Sequence, residues 1–186
     1  MLRRTARRFV ERELVPGVKE RAKLHGKYPP ELIKKLAEAE LLNLYPAPEY
    51  GGQGSDLVSQ GIVIEELARE DISAAMIALI PAIAAMALKS GTEEQRRTWL
   101  PPLCRGDMVG CLAITEPEVG SDAAAIRTSA KKDGDFYIIN GQKSCITNAL
   151  FSDVAMLAAK TDPSAGARGV TFFMVPLNLP GISRSF

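Results

Sequence analysis

Apolar residues recur every three to four positions over the first hundred residues and then alternate with polar ones, a change of period that divides the chain. Leu2, Ala6, Phe9, Val10 and Leu14 mark an opening helix, interrupted at Pro16-Gly17. A second helix is predicted from near Pro30, since proline suits a first turn, through Leu32, Ile33, Leu36, Ala37 and Leu41. Tyr45 to Gly54 reads as a turn-rich loop. Helical spacing returns from Leu57 to Arg69 with Val58, Ile62, Ile64 and Leu67. Ile72 to Leu88 is apolar almost throughout and ends at Ser90-Gly91. Thr92 with Gln95 three residues on forms a capping-box signature. It opens a fifth helix, expected to reach Trp99 and stop near Pro101-Pro102.

From about residue 128 strands are expected. Asp133-Gly134 and Asn140-Gly141 are two-residue hairpin signals, in which both turn positions take positive φ. Strands fit Phe136 to Ile139, Lys143 to Thr147, Val154 to Thr161 and Val170 to Leu177, the last two separated by a loop with one proline and two glycines. Helices followed by strands, rather than alternating with them, give an α+β fold. The expectation is an all-helical amino-terminal domain over residues 1–110 and a small antiparallel, barrel-like domain over 111–186, incomplete and arranged as a meander.

Composition narrows the function classes. The 186 residues are 46% hydrophobic and 24% charged, ordinary for a globular protein. A net charge of +1 creates no global field toward nucleic acid or a membrane surface. Arg3, Arg4, Arg7 and Arg8 are followed at once by Glu11 and Glu13, and read as the solvated face of the opening helix rather than a targeting segment. Cys104, Cys111 and Cys145 are an odd number without CxxC spacing, and His25 is the single histidine. Neither a disulfide framework nor a metal site is expected, and the pattern suits a reducing cytosol. Ile72 to Leu88 falls short of the ~20 apolar residues of a membrane span and carries Pro81, so it reads as a helix buried on nearly all sides.

The stretch Leu112 to Asp122 carries chemistry. It offers the Thr115 and Ser121 hydroxyls, a turn stiffened by Pro117, and a Gly120-Ser121-Asp122 corner whose N–H groups suit a phosphate. Taken alone, it reads more readily as a polar linker, with Asp122 capping a short helix from Ala123 to Ile126, since short Gly-Ser turns are common in loops.

Four motifs in order resolve the choice. Residues 48–54 (PEYGGQG), 115–122 (TEPEVGSD), 139–143 (INGQK) and 146–148 (ITN) resemble the acyl-CoA dehydrogenase family, and the similarity runs from the first helix to the last residue. The resemblance implies FAD held between the β-domain and a carboxyl-terminal helical domain, with a neighbouring subunit completing the site. It places Leu112, Ile114, Thr115, Gly120 and Ser121 on the flavin. Thr115 faces the ring, Gly120 and Ser121 the pyrophosphate, and Ser121 also the acyl-CoA substrate. Cys145, Ile146 and Thr147 match the segment beside the flavin, with Thr147 toward N5 and O4. Many members carry tryptophan where this chain has Cys145.

By the same resemblance, the reaction is oxidation of acyl-CoA to trans-2-enoyl-CoA with FAD as hydride acceptor and an electron-transferring flavoprotein as the next carrier. The family's catalytic glutamate belongs to the carboxyl-terminal domain, so no catalytic residue is expected here and the chain alone is expected to be inactive. Glu116 and Glu118 read as turn-stabilising or solvated carboxylates. A homotetramer or homodimer is expected, located in the cytoplasm or mitochondrial matrix, with no nucleic acid and no membrane span. The alternatives are a same-fold flavin oxidase or monooxygenase, or a truncated non-catalytic scaffold.

Overall fold

The structure is a computed structural model that describes residues 1–24 and 31–185. His25 and the helix start expected near Pro30 lie outside the described residues. The chain divides into two compact units, Met1–Val109 and Gly110–Phe186.

The first unit is helical. Helix α1 (Leu2–Phe9) runs on through a π-helical turn over Val10–Leu14, and a short α2 (Val18–Arg21), absent from the sequence pattern, follows Gly17 at φ 87°. Then come α3 (Glu31–Glu38), α4 (Leu57–Ala68), α5 (Ile72–Ala87) and α6 (Glu93–Cys104). Asp56 caps α4 and Asp71 caps α5 through their carboxylates, and the Thr92–Gln95 capping box of α6 is formed in both directions. Leu14, Leu36, Leu67 and Leu103 are fully buried at its centre.

Two expectations for this unit need correction. Helix α6 does not stop at Pro101-Pro102 but passes through both to Cys104. Each proline forfeits one i→i−4 bond, yet Leu100, Leu103 and Cys104 are all buried, and that packing outweighs the local breakers. Helix α5 is not buried on nearly all sides. With the 3₁₀ turn that follows it, Ile72–Ser90 is 19 residues long, apolar enough by length and composition to cross a membrane, and 50% buried within the structure. Its buried stripe is mostly alanine (Ala74, Ala75, Ala78, Ala82 and Ala85), which lets neighbouring helices approach closely. Leu79, Ile83 and Met86 line a cavity of roughly 270 Å³ against Leu57 and Ile64 of α4.

The second unit is a five-stranded open sheet: β1 (Gly110–Ala113), β2 (Ser129–Asp133), β3 (Phe136–Asn140), β4 (Val154–Lys160) and β5 (Val170–Pro176). Helices followed by a small sheet match the expected class. The sheet is mixed, however, rather than an antiparallel meander. Strand β5 runs antiparallel along the whole of β4, from Val154↔Pro176 to Lys160↔Val170. On the other edge, β4 is shared: β1 lies parallel to residues 154–157, and β2 meets it in parallel at Ser129↔Lys160. Turn signals report only strands joined by a short loop, so a parallel pair made across forty residues leaves no local trace. Only β2–β3 is a tight hairpin. Its loop is Gly134-Asp135, with Gly134 at φ 58° and no positive φ at Asp135, so one turn position rather than two is left-handed. The Tyr137 and Phe173 rings meet edge-on at 5.1 Å across strands that share no ladder, so the sheet curls without closing.

Candidate functional site

Between Leu157 and Lys160 the edge of β4 passes from β1 to β2, and the fifteen residues linking those two strands bulge out there. The bulge begins with a tight turn, Glu116-Pro117-Glu118-Val119, closed by hydrogen bonds Glu116 N→Val119 O (2.9 Å) and Val119 N→Glu116 O (3.1 Å). Val119 and Ile126 turn inward onto Ala158 of β4, with Ile114 and Val170 packed around them. This apolar plug anchors the loop and leaves its polar corner outside. Gly120, Ser121 and Asp122 are exposed, and a β-carbon at Gly120 would meet nothing within 4 Å. Asp122 precedes a 3₁₀ turn over Ala123–Ala125, but its carboxylate makes no capping hydrogen bond. The capping role of the linker reading is therefore absent.

The predicted strand from Lys143 to Thr147 does not form. After β3 the chain runs irregularly, and Cys145 (φ 55°) and Asn148 (φ 71°) adopt left-handed backbone. The Asn140-Gly141 hairpin is absent for a steric reason. Gly141 lies against Thr128, and a β-carbon there would sit 2.7 Å from Thr128 Cα and Cβ. The glycine is needed for close approach of two backbones, not for a turn.

From Gly141 the chain folds back on the bulge. Ser144 N donates to Thr115 O (2.9 Å), while Lys143 Nζ donates to Ile114 O and to Glu116 Oε1, each at 2.9 Å. Two stretches thirty residues apart are thereby joined, 112–116 and 143–147. The sequence-predicted residues occupy them as follows. Leu112 lies in β1, paired with Met156, and Ile114 packs toward the plug. Thr115 and Ile146 are half-buried, while Cys145 and Thr147 are exposed. Among the described residues, no protein hydrogen bond engages the hydroxyls of Thr115, Ser121 or Thr147. Asn148, next to Thr147, is buried with its Nδ2 unpaired.

Glu116 is 7% exposed and takes four donors: Arg127 N (2.7 Å), Thr128 N (2.9 Å), Thr128 Oγ1 (2.5 Å) and Lys143 Nζ (2.9 Å). Burial by itself would raise its pKa. The hydrogen bonds from Thr128, Lys143 and the Arg127 and Thr128 amides outweigh that and bring it down to about 2. Such a carboxylate is a permanently charged structural acceptor, unsuited to taking a proton near neutral pH. Glu118, by contrast, is exposed and paired with Arg127 at 2.7 Å.

Sequence reasoning missed Lys143 and Thr128. One signal was available: Lys143 is the sole charge between Tyr137 and Ser152. Of the cysteines, Cys104 and Cys111 are buried, and burial pushes the Cys104 thiol up to about 11 and raises that of Cys111. Among the described residues, no group of three or more His, Cys, Asp or Glu could hold a metal ion.

Residues 1–107 match the family model described as acyl-CoA dehydrogenase, N-terminal domain, and residues 111–185 that of the acyl-CoA dehydrogenase middle domain. The chain is 37% identical over 185 residues to the mitochondrial short-chain specific acyl-CoA dehydrogenase of Bos taurus, covering 98% of this chain and 45% of that protein. It is also 37% identical over 185 residues to a 3-(aryl)acrylate reductase of Clostridium sporogenes, covering 98% of this chain and 49% of that one. A glutaryl-CoA dehydrogenase from Mycobacterium smegmatis, solved in complex with FADH2, superposes with a TM-score of 0.88 at 35% identity, over 97% of this chain and 45% of that one. The chain spans about half the length of the curated relatives it matches.

Proposed function

The chain belongs to the acyl-CoA dehydrogenase family, and on that premise we propose that it supplies one wall of an FAD site in an enzyme oxidising acyl-CoA to trans-2-enoyl-CoA. One observation carries the reading. The hydrogen bonds from Lys143 and Ser144 to residues 114–116 bring Thr115 beside the 145–147 segment, with the Thr115 and Thr147 hydroxyls unspent on protein partners. Residues that fit a flavin thus converge from two stretches: free hydroxyls, apolar Leu112, Ile114 and Ile146, and an open Gly120-Ser121 corner.

When bound, FAD supplies the two-electron acceptor for hydride. The chain's own residues bind and orient. Thr115 and Thr147 offer donors to the ring, Gly120 and Ser121 offer N–H and O–H groups to phosphate oxygens, and Ser121 reaches the acyl-CoA. Fixing those groups on a loop plugged into the sheet holds them ready before the ligand arrives, which is where positioning gains its rate advantage. Neither Glu116, fully hydrogen-bonded, nor Glu118, solvated and ion-paired, is placed to take the α-proton, and by the family resemblance that base belongs to the carboxyl-terminal helical domain. The reading extends to an electron-transferring flavoprotein as electron acceptor, a homodimeric or homotetrameric enzyme, and a cytoplasmic or mitochondrial-matrix location.

The similarity to a protein named 3-(aryl)acrylate reductase favours a second reading, the same site run toward saturation of the double bond. One anaerobic titration separates the two in the complete protein. Bleaching of the oxidised flavin band by saturated acyl-CoA supports dehydrogenation, whereas reoxidation of chemically reduced flavin by an unsaturated substrate, with no bleaching by the saturated one, supports reduction. No flavin band in the purified complete protein, with none regained on adding FAD, would refute both.

A further inference from the structure

Resting on the reading of Thr115 and residues 145–147 as flavin-facing, we propose that Glu116 and Lys143 are positioning residues, a buried ion pair that sets the distance between the two flavin-facing segments. Their side chains are 6% and 9% exposed, and neither charge is spent on solvent. Glu116 follows Thr115 directly, and Lys143 precedes Cys145 by two residues, so movement at the pair is movement at both walls.

The pair is referenced to the sheet. Lys160 N of β4 donates to Thr128 O at 2.8 Å, and Thr128 donates through both its amide and its hydroxyl to Glu116. Glu116 then accepts from Lys143, whose remaining contact, Ile114 O, lies at the exit of β1. A continuous run of polar contacts therefore leads from β4 to the 145–147 segment, which belongs to no strand. Without such support that segment, with Cys145 in left-handed backbone and Asn148 likewise just beyond it, is held to the first stretch only by Ser144 N→Thr115 O, its other bond, Ala149 N→Ile146 O, being local.

Lysine suits the task because its ammonium can serve two acceptors that diverge, one carbonyl and one carboxylate. Removing its charge does not strip Glu116 of partners, since three donors remain from residues 127 and 128. The first segment stays clipped to the sheet while the second is released. A loss of fold would have disturbed both together.

The test uses the complete protein with FAD and compares Lys143→Met, Lys143→Arg, Thr115→Val and Thr147→Val by FAD dissociation constant, flavin absorption envelope, reduction potential and melting of the apoprotein. Lys143→Met is expected to keep native circular dichroism, weaken FAD binding about tenfold and shift the flavin band and potential, with Lys143→Arg falling between it and wild type. A folded Lys143→Met with wild-type affinity, spectrum and potential, while Thr147→Val alters them, would overturn the positioning role and leave the flavin reading standing. If neither Thr115→Val nor Thr147→Val alters the flavin signals, the underlying reading fails and this inference fails with it. Should Lys143→Met not fold, Lys143→Arg decides: a shifted flavin band supports the role, and an unchanged one overturns it.

Discussion

Gly141 lies so close to Thr128 that a β-carbon on it would stand 2.7 Å from Thr128 Cα, inside any normal contact distance. Thr128 is itself 2% exposed and bonded to Glu116, so it cannot yield without disturbing the buried carboxylate. Gly141→Ala is therefore expected to destabilise the second unit by about 2 kcal/mol, in the range of overpacking substitutions. Gly134→Ala is the comparison, because nothing lies within 4 Å of its β-carbon and only its positive φ resists the change. Denaturant unfolding of both variants checks this. A Gly141→Ala protein as stable as wild type would show that the 141–144 path relaxes freely.

Acid should weaken the second unit through Glu116. Its folded pKa, about 2, lies below the ordinary value of 4.5. The stabilisation from the charged form is therefore complete above about pH 4.5 and is lost as pH falls toward 2, amounting to about 3 kcal/mol over that window. Glu116→Gln is expected to be less stable than wild type at pH 7, because the amide N–H₂ faces donors. Its stability should then fall less steeply between pH 4.5 and 2. Parallel pH dependences for the two proteins would contradict the assignment.

A second buried carboxylate, Glu66 of α4, ties the first helix down. It accepts from Arg3 Nη1 at 2.6 Å and from Arg7 Nε at 2.9 Å, with its side chain 2% exposed. The hydrogen bond from Arg7 leads in holding its pKa below the usual carboxylate range, against the opposing effect of burial. Removing either arginine leaves Glu66 the other, and removing both leaves it only Arg69 Nη1, more distant at 4.0 Å. Arg3→Ala with Arg7→Ala is expected to cost about 3–5 kcal/mol, more than the two single costs added together. Chemical denaturation of the four proteins gives the coupling directly.

Thr147 is exposed and its hydroxyl bonds to no described protein group, so Thr147→Val should leave the melting temperature of the apoprotein within about 1 °C, as for a neutral surface change. In the complete protein the same variant is expected to shift the flavin's reduction potential. A variant that changes stability but not the flavin would place the hydroxyl in the fold rather than in the site.

Much of the helical half was legible in the sequence because its determinants are local. The Thr92–Gln95 capping box lies within one turn, and the apolar spacing of Leu32, Ile33 and Leu36 matches the buried face of α3. For the candidate site, the motifs singled out the two stretches but not what joins them. Where expectation failed, long-range contacts had overruled a local signal. Pro101 and Pro102 read as a helix stop, but burial of Leu103 and Cys104 carries α6 beyond them. Asn140-Gly141 read as a hairpin, but Thr128 occupies the space and the strand expected at 143–147 never pairs.

The amino-acid sequence by itself determined the change from helices to strands, most element positions and the residues with chemistry to offer, because spacing and turn propensity act over a few residues. Only the tertiary structure decided that β1 and β4 run parallel, that the loop between β1 and β2 emerges where the β4 edge changes partner, and that Lys143 reaches back to Glu116. A buried charge is stable only beside its partner, and no pattern along a chain records which residue, twenty-seven positions away, will arrive to provide one.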